Sequence, residues 1–173
     1  MAFTSCKLQN DMLRSNSCGY SLPEIIMIYL ANYEDVTGYT VSGNEITSIA
    51  LADSAKFYKI EPAKNSASFE DALVVTDNGR KYRTHTLTFS VVGGKYDAER
   101  SFDLDMLSVG KFIAVVKTAE GNYICLGREV GLEADTATFS GGGDTDGIQV
   151  VMSHNMAESA WPLSADAIED VEG

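Results

Sequence analysis

The pair Asn78-Gly79, set between two runs of alternating polarity, restricts this 173-residue chain more than any other feature. Asn-Gly accepts the tight reversal that most pairs resist, and period-two patterns on both sides turn that reversal into a β-hairpin. SASFEDALVV leads into Thr76-Asp77-Asn78-Gly79 and RKYRTHTLTFSVV leads out, which predicts two long antiparallel strands. Side chains alternate across a strand, so Tyr82, Thr84, Thr86, Thr88 and Ser90 share one face while Arg83, His85, Leu87, Phe89 and Val91 share the other. The first face is rich in hydroxyls; the second becomes apolar.

The same logic extends along the chain. Pro23 introduces EIIMIYLANYEDV, a run of apolar, aromatic and β-branched residues suited to a buried strand, punctuated by Gly38 and Ser42-Gly43-Asn44. Glu45–Ile49 and the piece around Phe57, Tyr58 and Ile60 are ambiguous in type. KFIAVVKT and NYICLG predict a second hairpin around Ala119-Glu120-Gly121, and VGLEADTATF and GIQVVMS a third around SGGGDTD. Between the first and second lies AERSFDLDMLSVG, with Phe102, Met106 and Val109 at near-helical spacing, acids toward its start and Gly110 at its end. It predicts one flanking α-helix at about 97–109.

The expected fold class is therefore mainly β, an antiparallel β-sandwich or barrel. Residues 1–22 are polar and aperiodic and read as an N-terminal arm with little structure of its own. Residues 23–163 read as one β-rich domain, consistent with a chain that is 45% hydrophobic. Residues 164–173 read as an acidic tail.

Net charge is −12, with 13 Lys and Arg against 25 acids, which argues against a nucleic-acid-binding surface. The imbalance is local: residues 129–173 hold ten acids and no base. That stretch is either a solvated acidic end or a surface matched to a basic one on a neighbour. Trp161 lies within it, either anchoring a partner or folding back onto its own domain. Cys6, Cys18 and Cys125 form neither a disulfide framework nor a zinc ribbon by spacing, which fits a reduced compartment. With no signal-peptide pattern and no bilayer-length apolar run, the expectation is a soluble, unsecreted chain.

Chemistry-bearing motifs are sparse. No GxxxxGK[ST], GxGxxG, HExxH or GxSxG pattern occurs. His85 and His154 are too few for a multi-histidine metal site, and both read as structural. Gly143-Asp144-Thr145-Asp146-Gly147 has Ile148 where a third calcium ligand belongs and reads as a solvated turn. The acids Asp97, Glu99, Asp103 and Asp105 are ordinary at a helix start and on its wet face. No cofactor and no catalytic activity are expected.

The stretch Phe69–Gly127, with FEDALVVTDNGRKYRTHTLTF followed by AERSFDLDMLSVGKFIAVVKTAEGNYICLG, resembles tail tube proteins of long-tailed bacteriophages infecting Bacteroidetes-type hosts. IYLANYEDVT and REVGLEADTATFSGGGDTDGIQVVMS resemble the same family, so the likeness reaches most of the chain. It rests on element order and small-residue placement. What it implies is a non-enzymatic virion subunit, assembled in the host cytoplasm, forming hexameric rings that stack into a tail tube. Implied partners are further copies of itself, other tail proteins and double-stranded DNA in transit without specific binding, with no membrane. Thr84, Thr86, Thr88 and Ser90 then become candidates for the channel lining.

Stacking needs a heterologous interface. The hairpin tip, with Asp77, Asn78, Arg80, Lys81 and Arg83, is the candidate to meet the acidic end, with Asp166, Glu169, Asp170 and Trp161 as further inter-subunit contacts. Two other readings use the same residues. One is a different virion component, either a capsid decoration protein or a head-to-tail adaptor. The other is a carbohydrate- or ligand-binding β-sandwich in which Trp161 and tyrosines stack on sugar rings.

Overall fold

The computed structural model describes residues 6–13, 19, 22–142 and 146–173. The chain is mainly antiparallel β, as the alternation predicts, and the eleven strands among the described residues fall into three layers.

The first layer has the order β5 (Ser68–Val75), β6 (Lys81–Val91), β10 (Gly147–Met156), β9 (Leu132–Ser140). The second centres on β7 (Lys111–Thr118), with β1 (Ile25–Asn32) along one edge and β8 (Tyr123–Leu126) along the other. Short strands close its ends: β4 (Tyr58–Ile60) beside β1, and β11 (Trp161–Pro162) beside β8. Where β8 ends, β9 takes over the same edge of β7 through Lys111↔Glu133 and Phe112↔Leu132, then crosses to pair with β10. Nine strands thereby form one sheet folded over on itself. The third layer is a hairpin, β2 (Val36–Ser42) with β3 (Glu45–Leu51), and a C-terminal helix.

Period-two alternation explains why the second layer reads as unbroken apolar runs. Ile28, Leu30, Phe112, Ala114, Val116 and Leu126 point toward Leu87, Phe89, Val150 and Met152 of the first layer. Their neighbours Tyr29, Ala31, Ile113, Val115 and Cys125 point the other way, onto Ile46, Ile49, Trp161, Leu163 and Val171. A layer buried on both faces needs apolar residues at every position.

The first hairpin forms as predicted, with a different turn. Gly79 alone of its loop has positive φ (+80°), and its N–H donates to Thr76 O at 2.9 Å, while Thr76 N–H donates to Arg80 O at 2.9 Å. This is a longer loop with glycine in the left-handed position, not a two-residue Asn-Gly reversal.

Helix α1 spans Ala98–Val109, and the Asp97 side chain accepts from Arg100 N–H at 3.1 Å as its N-cap. Gly110 ends it with φ −84°, so no left-handed cap is involved; a Cβ there would lie 2.7 Å from Phe112 Cζ, and space is what requires the glycine. The stripe found by spacing faces outward. Leu104 and Leu107 pack on the core, while Phe102, Met106 and Val109 are 61%, 41% and 78% exposed.

Residues 164–173, expected as an acidic tail, instead form helix α2 (Ala165–Glu172) on β3. Ser164 caps it through Ala167 N–H, and Ala167 and Val171, one turn apart, bury its inner side. In the arm, residues 6–13 are exposed and carry neither helix nor strand; its residues 1–5, 14–18, 20 and 21 lie outside the described residues. Residues 143–145 of the calcium-like stretch do too. No helix among the described residues is long and apolar enough to cross a membrane.

Candidate functional site

The outer face of the first layer assembles from four strands. Register places Ser68, Glu70 and Ala72 of β5 beside Thr88, Thr86 and Thr84 of β6. On the far side Ser90, Thr88, Thr86 and Thr84 meet Gln149, Val151, Ser153 and Asn155 of β10. Gln149 and Val151 in turn meet Thr138 and Thr136 of β9. The four residues singled out by alternation, Thr84, Thr86, Thr88 and Ser90, thus run through the interior of a broad hydroxyl and amide surface. The described residues that these four strands place on it include the acids Glu70, Glu133 and Asp135 and no Lys or Arg, while Lys111 of β7, across from Glu133, reaches that carboxylate at 3.4 Å.

Cross-strand hydrogen bonds tie side chains of this surface together. Thr84 Oγ1 donates to Asn155 Oδ1 at 2.9 Å, and Ser153 Oγ donates to Asp135 Oδ2 at 2.5 Å across the β9 bulge. The β-branched Thr side chains are themselves stiff at χ1, so their hydroxyls are held in few orientations. Sequence reasoning found one strand of four. The polar alternation Gln149, Val151, Ser153, Asn155 was available, but the pairing of β10 with β6 across a long separation was not.

The remaining candidates divide. Asp77, Asn78, Arg80 and Lys81 stand exposed at the hairpin tip, and Arg80 and Lys81 have no ion pair among the described residues. Arg83 is held within its own chain: Nε donates to Asp71 Oδ1 at 2.6 Å and Nη2 to Asp71 O at 2.9 Å. Trp161 is 3% exposed, tucked into the second core with the Arg128 guanidinium 4.6 Å from its ring centre. It folds back onto its domain and offers no surface to a subunit or a sugar. Asp166 and Glu169 are exposed on α2, whereas Asp170 Oδ2 accepts from Ser48 Oγ at 2.8 Å and Ile49 N–H at 3.0 Å.

Much of the acid excess after Arg128 serves the fold. Glu158, almost wholly buried, pairs in two-pronged fashion with Arg128, at 2.6 Å from Nε and 2.5 Å from Nη2. Glu172 Oε1 accepts from Tyr123 Oη at 2.5 Å, Lys117 Nζ at 3.0 Å and Tyr29 Oη at 3.0 Å, fastening the end of α2 to the second layer. The Tyr123 and Lys117 hydrogen bonds hold the Glu172 carboxyl down at about 2. Burial together with the Glu172 bond pushes the Tyr29 hydroxyl up to about 12.

His85 lies beneath the hydroxyl face, 2% exposed. Gly127 N–H donates to Nδ1 at 3.3 Å and Nε2 sits 3.0 Å from Glu158 O, a pair of partners that suits the neutral ring protonated on Nε2. Burial pushes its pKa below the usual 6.5, against the opposing pull of Asp71. Both nitrogens are occupied by backbone, so this histidine braces β6 against the loop after β8. A groove of about 400 Å³ opens between Phe69 and Asp71 on β5 and Tyr123, Ile124 and Pro162 on the other edge. Its carboxylate, Asp71, is already taken by Arg83 and by Ala160 N–H at 2.9 Å.

Comparison with family models, with curated proteins and with solved structures returns no match.

Proposed function

We propose that this chain is a structural subunit that assembles with copies of itself into rings around a DNA-conducting channel, the tail tube of a long-tailed phage. The observation that carries this reading is the outer face of the β5-β6-β10-β9 layer. Its hydroxyls and amides present water-like partners, Glu70 and Asp135 add negative charge that repels phosphate, and its four strands place no Lys or Arg on it among the described residues to retain a polyanion, the nearby Lys111 being paired with Glu133. A channel that passes DNA without binding it needs that chemistry.

Strand spacing sets the scale of such a ring. Strands lie about 4.8 Å apart, so a four-stranded layer spans about 19 Å. Six such layers side by side make a barrel of about 24 strands, with a backbone diameter near 37 Å before strand tilt widens it. The hexamer is part of the proposal, drawn from the family resemblance.

Negative-stain electron microscopy of the concentrated full chain tests the reading. Rings or tubes with a central channel are expected. A uniform population of monomers at every concentration contradicts it.

A further inference from the structure

We propose that the β5–β6 hairpin tip of one copy seats on the outward face of α1 of a second copy, in a heterologous contact that repeats from subunit to subunit. The inference rests on the assembly reading above and names the surfaces that make it.

Helix α1 turns an apolar face to solvent. Each helical residue advances about 100°, so Phe102, Met106 and Val109 fall in one narrow stripe opposite Leu104 and Leu107, which hold the helix to the core. The stripe is flanked by Glu99 and Asp105, about 60° to either side, with Asp103 farther round. None of these three acids has an ion pair or a hydrogen bond among the described residues. Three large apolar side chains in a row on an acidic wet face form a patch that isolated surface residues do not explain.

The hairpin tip presents the complement. Leu73 and Val75 are 56% and 55% exposed, and across the register they sit beside Arg83 and Lys81. Their side of the hairpin is the core-facing one, since Phe69↔Leu87 continues the same row inward. Strand β10 reaches only Arg83, through Met156, so the tip runs past its neighbouring strand with its apolar row uncovered. Arg80 and Lys81 supply positive charge beside that row. One surface is apolar with basic edges, the other apolar with acidic edges.

Apolar matching decides which acidic surface is the partner. Helix α2 also carries acids, yet its apolar Ala167 and Val171 are buried and its outward positions are Ala165, Asp166, Glu169 and Asp170. It gives Leu73 and Val75 nothing to cover them. The tip belongs to the β5 edge of the layer and α1 packs on β9, the opposite edge. A contact between opposite edges passes from copy to copy and closes into a ring if the rotation closes. It also sets the hydroxyl faces of adjacent copies side by side.

The test uses two full-length variants, each broken on one surface. The hairpin variant is Leu73→Asp with Val75→Asp; the helix variant is Phe102→Asp with Met106→Asp. All four positions are exposed, and circular dichroism checks that both variants keep the wild-type fold. Sedimentation velocity of each alone should show self-association weakened by at least about tenfold. Mixed one to one, they should form a dimer that goes no further, because one keeps an intact helix face and the other an intact hairpin. Asp166→Lys with Glu169→Lys on α2 should assemble like wild type.

If both broken variants assemble as well as wild type into channelled rings, the contact is overturned and the tube reading stands. A heterodimer from the mixture, with wild type building open chains that enclose no channel, supports the contact and defeats the tube. Monomers throughout overturn both. Loss of assembly in the α2 variant alone overturns the choice of α1.

Discussion

Individual side chains set how this fold responds to substitution and to acid. The Arg128–Glu158 pair is two-pronged and largely buried, and Arg128 also covers the faces of Trp161 and Tyr39, at 4.6 Å and 5.4 Å from their ring centres. Glu158→Ala leaves a guanidinium without its partner in the interior, and denaturant unfolding should show a loss of about 3 kcal/mol. His85 is depressed in the folded state, so the unfolded chain takes up its proton first. Stability is therefore full above 6.5 and falls as pH drops below it; His85→Gln should flatten that part of the pH–stability curve. Gly147 has φ +129°, and an added Cβ would lie 2.2 Å from Val91 O. Gly147→Ala should lower the melting temperature, whereas alanine at Gly141, with open space around it, should have little effect.

Elements explain what could be read before the structure and what could not. The three hairpins and α1 announced themselves, because alternation, Asn-Gly and a helical spacing that opens on acids are local signals. The doubled core did not: IIMIYLA and FIAVV say that a strand is buried, but not that Tyr29 and Val115 serve one core while Ile28 and Val116 serve another. Helix α2 was present in outline, as Ser164 before an Ala167/Val171 pair, yet its eight residues carry enough acid to pass for a tail. The spacing of Phe102, Met106 and Val109 on α1 was legible, but which way that stripe points was not, since periodicity finds a face without saying what covers it. Of the candidate site, the β6 hydroxyls were legible, and the strands beside them were not. A prediction belongs at this scale. Glu172 is depressed from 4.5 to about 2 by Tyr123 and then Lys117, so the tie it makes is full above about 4.5 and is lost as pH falls through about 2. Amide hydrogen exchange should show α2 losing protection in that window before the sandwich does, and Glu172→Gln should loosen α2 already at neutral pH.

At the scale of the whole molecule, the charge imbalance that looked like one acidic end resolves into several uses. Glu129, Glu133, Asp135, Glu158, Asp170 and Glu172 are spent on internal partners. What remains for function is placed by topology: a hydroxyl plane over the first layer, a basic apolar tip at one edge and an acidic apolar helix at the other. If the plane lines a channel, Thr86→Lys with Ser153→Lys should leave assembly intact and make the particles retain double-stranded DNA in a salt-dependent way, seen as co-sedimentation at low ionic strength. The most direct measurement is a cryo-electron microscopy reconstruction of the assembled protein in which β6 is traced. The account predicts Thr84, Thr86, Thr88 and Ser90 facing a central channel; a reconstruction that turns them to the outside, or buries them between subunits, contradicts it.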